Sequence, residues 1–365
     1  MLVPTLQARK LEIQNRLNVF QKYLVSQKIE ACVLEDCDDL LYFTGLDLSY
    51  GRLWIFEKDV ALLVDSRYID VAKKESLVQP VFLLKTEEEK RLIEKFRPSS
   101  VQFDGSKTTV TRSNDLKKFL ETISYKIDLQ SKDALTSSIR MCKGACEIYD
   151  IKQSILILKK AFNYIKSIVK TGVTESDLSR EFEIILREKG SSGSSFDPII
   201  AFEKNASMPH YRPRNIKLKN NQMILFDIGC IYNHYRSDMT RIFFHGTPNP
   251  ALLRIASLVK QSHSLAIKMC HPGVKIGDID QAVRNFFREE KVDHLFTHSL
   301  GHGIGLQTHE APIIRCDGRD KDLILQPGMV ITIEPGLYLS DLGGVRIEDM
   351  ILINDSGCEN LTQKI

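Results

Sequence analysis

Four carboxylates sit inside runs that otherwise read as buried strand: Asp227 in "ILFDIG", Asp238 at the head of "DMTRIFF", Glu334 in "ITIEPG" and Glu348 in "VRIED". An isolated carboxylate in a low-dielectric interior favours its protonated form, so each of these acids needs compensation. Asp227 and Asp238 are eleven residues apart, a spacing that a hairpin folds back on itself, and Glu334 and Glu348 repeat the arrangement with a longer turn. Four acids converging from two pseudo-equivalent hairpins would repel one another unless cations sat between them. Oxygen-rich ligation of this kind suits Mn²⁺ or a similar divalent ion, with one imidazole completing a dinuclear set. Taken singly, each acid also reads as a turn or surface residue. Asp349 reads as surface or support, and Arg346 could neutralise Glu348 without metal.

The segments around these acids repeat. Apolar residues from Ile148 to Val169 follow one helical face, closed by Gly172, and a second helix starts at the N-cap Thr174 and stops at Gly190. Strands "MILFDIG" and "YRSDMTRIFF" follow. Helix-like segments Pro250 to Met269 and Asp278 to Glu290 then precede "MVITIEPG" and "VRIEDMILI". Two helices and a strand pair, taken twice, is a weak internal duplication of an α+β domain.

Upstream, an amphipathic helix through Ile13, Leu17, Phe20 and Leu24 leads into short apolar runs ("EACVLE", "RLWIF", "VALLVD", "PVFLLK", "SVQFD"). These alternate with helix-like stretches near Ile69 to Glu75, Glu87 to Phe96 and Asn114 to Thr122. That alternation predicts a small α/β domain over residues 1–135, with the duplicated α+β domain at 136–365 and the polar stretch "LQSKDALTSSIRMCKGACE" as linker.

Composition narrows the function. The 50 basic and 47 acidic residues are dispersed, which argues against nucleic acid as a partner, and no apolar run approaches a membrane span. The N-terminus lacks the continuous apolar core of a secretory signal, so a cytoplasmic location is expected. Eight cysteines without C-x-x-C pairs read as reduced thiols.

"HSLGHGIGLQTHE", residues 298–310, concentrates three of the nine histidines. Its glycines could present backbone N–H groups to an anion, but no P-loop lysine follows and no helix opens there, which favours a metal role.

The order "FDIGCIYNHYRSDMTR", "HSLGHGIGLQTHEAP", "LQPGMVITIEPGLY", "GGVRIED" resembles the pita-bread metallopeptidases, in the Xaa-Pro aminopeptidase and prolidase branch. "DLLYFTGLD" and "LLVDSRYIDVA" look like that branch's creatinase-type N-terminal domain. The resemblance implies Asp227, Asp238, His302, Glu334 and Glu348 as ligands of two divalent ions, Mn²⁺ foremost with Co²⁺ or Zn²⁺ as alternatives. It implies Asp238 and Glu348 as the bridging acids, and Arg346 as a group that orients them. His210 in "MPHYRP", His298 and His309 match the family's substrate-side histidines, while Glu310 could fix His309 or serve a turn. His302 would lie between glycines that let the backbone pass close to the metals. One departure stands out: Phe202-Glu203-Lys204-Asn205 replaces the family's Ser-Gly-x-Asn run, losing a glycine at the substrate entrance.

The activity so implied is removal of the N-terminal residue before proline by a metal-bridging hydroxide, with Glu334 shuttling the proton. Substrates would be peptides with proline second, and the enzyme a homodimer. Prolidase, restricted to Xaa-Pro dipeptides, is the alternative within the family. A catalytically inactive pita-bread module that only binds peptides is the alternative outside enzymology.

Overall fold

The computed structural model describes residues 3–363 and divides into two units, one ending at Arg140 and the other starting at Met141. The expected division lay between 135 and 136. The stretch 129–147, expected as linker, is largely ordered: its first residues finish a strand, Asp128–Lys132, and Ser137–Met141 form a short helix. The polar sequence misled because that strand is a sheet edge, paired on one side only and open to solvent on the other.

In the first unit, strands β1 (Ala31–Leu34), β2 (Gly51–Phe56), β3 (Val60–Val64), β4 (Val81–Leu83), β5 (Ser100–Asp104) and β6 (Asp128–Lys132) form one mixed sheet in the order β4-β3-β2-β1-β5-β6. Helix Leu6–Ser26 buries Ile13, Leu17, Phe20 and Leu24, the face its periodicity marks. The helix expected from Asn114 begins at Val110, because the Thr109 hydroxyl accepts from Arg112 N and caps it earlier.

The second unit carries the duplication. Helices Ala145–Ser167 and Glu175–Glu188 pack on β7 (Ile199–Phe202), β8 (Gln222–Ile228) and, after the short pair β9 (Ile231–Tyr232) and β10 (Tyr235–Arg236), β11 (Met239–His245), in sheet order β11-β8-β7. Leu158, Phe162, Phe182 and Phe226 fill the interface of this half. Helices Pro250–Met269 and Ile276–Glu289 then cover β12 (Gly301–Gly303), β13 (Glu310–Ile314), β14 (Val330–Ile333), β17 (Asp349–Asn354) and β18 (Gly357–Asn360), ordered β13-β12-β14-β17-β18. The hairpin of β15 (Gly336–Leu339) and β16 (Gly343–Arg346) lies between β14 and β17 in the chain. Leu252, Val259, Val283, Phe287, Ile331 and Ile351 make the second core.

The helix expected to run on toward Gly172 stops at Ser167, and Gly172 at φ +92° instead turns the chain so that its N–H reaches Leu218 O. Two expected strands are broken: "YRSDMTRIFF" at Ser237-Asp238 and "VRIEDMILI" at Ile347-Glu348. Both breaks fall where an acid must leave the ladder and face a shared centre. No helix among the described residues is long and apolar enough to cross a membrane.

Candidate metal centre

Strand register brings the first pair of acids to one face. Asp227 on β8 stands opposite Thr240 on β11, and Asp238 precedes Thr240 by two residues, so period-2 alternation points Asp227, Asp238 and Thr240 the same way. In the second half Ile333 pairs with Asp349, which leaves Glu334 and Glu348 facing each other just beyond the ladder of β14 and β17. Two backbone bonds fix these ends: Glu334 N donates to Leu300 O at 2.8 Å, and Glu348 N to Thr240 O at 3.2 Å, the latter joining the halves.

His302, on β12, completes the set. Its Nδ1 donates to Gly303 O at 3.0 Å, which leaves Nε2 as the lone-pair nitrogen, 3.6 Å from Glu334 Oε1 and 3.8 Å from Asp238 Oδ2. Ligand atoms of Asp238, His302 and Glu348 all lie within 4.8 Å of one another. These residues share a cleft of about 460 Å³ with Asp227, Glu334, His210, His298, His309 and Arg346, so all nine residues singled out by sequence meet in one place.

The electrostatics favour a cation here. Burial, then repulsion from Glu348, Asp227 and Glu334, pushes the Asp238 carboxyl well above the ordinary range. Burial and Glu348 do the same to Glu334, while burial and Asp227 push Glu348 up to about 8. Asp238 Oδ1 is buried with no hydrogen-bond partner among the described residues. A buried acceptor of this kind is costly to leave unmet, and four acids with one lone-pair imidazole are a hard, anionic donor set. The residues therefore fit divalent metal ions. Burial, then His309, lowers His302 to about 3, which keeps its ring neutral and able to ligate.

Arg346 supplies fixed positive charge at the back of the cleft. Nη2 donates to Asp227 Oδ2 at 2.5 Å, Nη1 to the Tyr338 hydroxyl at 2.6 Å, and Nε to Thr240 Oγ1 at 3.1 Å, which in turn donates to Glu348 Oε2 at 2.8 Å. Tyr338 donates to His298 Nε2 at 2.9 Å, since His298 Nδ1 donates to Ser299 O. Both nitrogens of His298 are thus engaged, and burial with Arg346 nearby lowers it to about 4. Sequence reasoning missed Thr240 and Tyr338. Alternation was the available signal, because Thr240 follows Asp238 by two and Tyr338 follows Gly336, the partner of Arg346, by two.

Other residues noted in the sequence can also be placed. Asp349 is buried and bound by Arg241, Asn360 and Thr362, which excludes the surface alternative and leaves the supporting one. Glu310 pairs with Lys143 at 2.8 Å. The glycines flanking His302 admit neighbouring strands: a Cβ at Gly301 would lie 2.0 Å from Thr332 O, and one at Gly303 2.2 Å from Ala311 O. At the entrance, Glu203 holds the left-handed φ of +45° where the family run has glycine, and its Oε2 accepts from Met223 N at 2.7 Å.

Residues 150–355 match the model of metallopeptidase family M24, and residues 16–142 that of the creatinase/prolidase N-terminal domain. The chain belongs to metallopeptidase family M24. This M24 chain is 30% identical to a Mycoplasma pneumoniae protein provisionally named an Xaa-Pro aminopeptidase, over 97% of this chain and 98% of the other. Its fold is similar to an Xaa-Pro dipeptidase from Bacillus anthracis (TM-score 0.90, 26% identity, 97% and 98% of the two chains). It is similar to an X-Pro aminopeptidase from Thermotoga maritima as well (TM-score 0.85, 28% identity, 94% and 98%). The pita-bread fold behind a creatinase-type domain, expected from sequence, is the M24 architecture found here.

Proposed function

We propose that the chain is an Xaa-Pro aminopeptidase that takes two divalent ions, Mn²⁺ foremost, and removes the residue before proline from peptides longer than two residues. The charge balance of the cleft carries this reading over prolidase. A dipeptide specialist needs a cation for the free carboxylate of its proline. Among the described residues, both arginines lining this cleft already hold acids: Arg346 holds Asp227, and Arg212 holds Asp197 at 2.7 Å.

Asp227, Asp238, His302, Glu334 and Glu348 would hold the ions. Bound there, the ions would supply Lewis acidity and lower the pKa of water toward neutrality. The remaining work falls to side chains. Glu334, only partly buried beside the cleft, takes up a proton and delivers it to the leaving proline nitrogen, which carries no hydrogen of its own in an Xaa-Pro bond. His309, lowered by burial, stands at the cleft as a neutral imidazole and with His210 donates to the carbonyl oxygen as it gains charge. His298, its nitrogens engaged, offers a ring surface to proline.

Chelation should abolish cleavage of Xaa-Pro-Xaa-Xaa peptides, Mn²⁺ should restore it, and Asp238→Ala should resist rescue. Full activity of exhaustively stripped protein would overturn the metal reading. Faster turnover of an Xaa-Pro dipeptide than of the longer peptide would replace aminopeptidase by prolidase.

A further inference from the structure

Glu175 is fully buried, yet it lies outside the metal centre and all its hydrogen-bond donors are neutral. It is the first residue of helix Glu175–Glu188, where a carboxylate often caps. That task is already filled, since Thr174 and Asp177 form a reciprocal capping box. The Glu175 side chain turns instead to the segment 202–214. Oε1 accepts from Phe202 N and Asn205 Nδ2, both at 2.8 Å, and Oε2 accepts from the Tyr211 hydroxyl at 2.6 Å and Arg214 N at 3.1 Å. Four donors fill the acceptor capacity of one carboxylate. They come from the two ends and the middle of a segment that otherwise has little regular structure: a 3₁₀ turn at Glu203–Ser207, then irregular chain carrying Pro209 and His210 to the cleft.

We propose that Glu175 is a positioning residue, the one side chain that ties both ends and the middle of the 202–214 segment together and so presents His210 to the substrate. The backbone of helix Glu175–Glu188 adds support from the same place, as Ser176 N donates to Arg214 O at 3.1 Å and Glu175 N to Ile216 O at 3.2 Å. Asn205, the residue kept from the family's Ser-Gly-x-Asn run, thus serves the anchor and does not face substrate through its amide nitrogen. The segment leaves β7 at Phe202 and passes Glu203 in the left-handed region, so its path is set by few local preferences and needs an outside tie. A displacement of about 1 Å in a catalytic group can cost on the order of 100-fold in rate. The proposal rests on the Xaa-Pro peptidase reading only for what His210 does, and not for how the segment is held.

Glu175→Gln tests it in the metal-loaded full chain. Each carboxylate oxygen faces one backbone N–H, so whichever side receives the amide nitrogen sets two donors against each other. Expected results are faster hydrogen exchange confined to residues 202–214, kcat/KM for an Xaa-Pro-Xaa-Xaa peptide lower by on the order of 10- to 100-fold with most of the loss in kcat, and unchanged Mn²⁺ stoichiometry. Tyr211→Phe, which removes one donor and spares both backbone N–H groups, should give the same pattern weakened. It also serves if Glu175→Gln fails to fold. Unchanged exchange in 202–214 for both variants would overturn the anchor. Loss of metal or a general rise in exchange, in step with lost activity, would reduce Glu175 to a stability residue and overturn positioning. A loosened segment in a protein that cleaves no Xaa-Pro bond even as wild type would leave the anchor standing and sink the function reading alone.

Discussion

Arg346 and Asp227 come from opposite halves of the duplication, and the guanidinium Nη2 meets Asp227 Oδ2 at 2.5 Å. The same side chain reaches Tyr338 and, through Thr240, Glu348, so one buried cation orients acids from both hairpins. Groups behind metal ligands typically contribute 10- to 100-fold to affinity or activity. Arg346→Ala should weaken Mn²⁺ binding by about that factor, measured by chelator competition, and kcat/KM should fall with it. Arg346→Lys should do nearly as badly, because an ammonium cannot serve three planar directions at once. A lysine variant with wild-type affinity would show that charge alone suffices.

The metal-free protein should lose stability as pH rises. Folded Glu348 releases its proton near 8, whereas an unfolded glutamate does so near 4.3. Between those values the folded state holds more protons, so this contribution is fully present below about 4.3 and is lost as pH climbs through about 8. Above pH ~7.5 the lowered histidines His263, His298, His302 and His309 are almost entirely neutral whether folded or not and leave the slope alone. The Tm of chelator-treated protein should therefore fall from about pH 7.5 to 8.5, and Mn²⁺ should raise Tm more at the upper end. Asp238→Asn, by removing one repelling charge, should raise the metal-free Tm at pH 8 and erase the Mn²⁺ effect. A flat metal-free curve would count against the crowding of acids described above.

Gly303→Ala should damage the centre from a position that bears no functional group. The added Cβ would lie 2.2 Å from Ala311 O, a backbone atom with no rotamer to escape into. Overpacking of this order costs about 1–3 kcal/mol and here shifts β12, on which His302 sits. Lower Tm together with weaker Mn²⁺ binding is the expected pair of results. A lower Tm with unaltered metal affinity would mean that β12 absorbs the strain without moving His302.

The acids and the helix faces were legible because each leaves a local mark, charge inside apolar β-rich sequence or apolar residues at helical spacing, whereas His302 was singled out from its neighbouring histidines only by the family resemblance. What escaped depends on partners distant in sequence. Tyr338 and Thr240 look like ordinary strand residues until register sets them beside Arg346. Glu175 looks like an N-terminal helix acid until residues about thirty to forty positions onward converge on it. The glycines around His302 are expected from sequence to let the backbone pass close to the metals, and the pairing of β12 with β13 and β14 shows that they make room for neighbouring strands. Polar residues in β6 hid an edge strand for the same reason, since solvent exposure on one side is a property of the assembled sheet.

Peptide-length preference should respond to Asp197. The Arg212–Asp197 pair lies at the cleft and both side chains are largely exposed, 65% and 77%. In the aminopeptidase reading, Asp197 occupies the guanidinium that a dipeptide's carboxylate would otherwise use. Asp197→Asn should therefore lower KM for an Xaa-Pro dipeptide while leaving an Xaa-Pro-Xaa-Xaa peptide nearly unchanged. Because exposed pairs are screened and contribute at most about 1 kcal/mol, the gain should be a few-fold and should shrink in high salt. Adding Arg212→Ala should cancel it. If the dipeptide gains nothing, or gains equally without Arg212, the paired arginine is not what disfavours short substrates, and the carboxylate of proline is recognised elsewhere in the cleft.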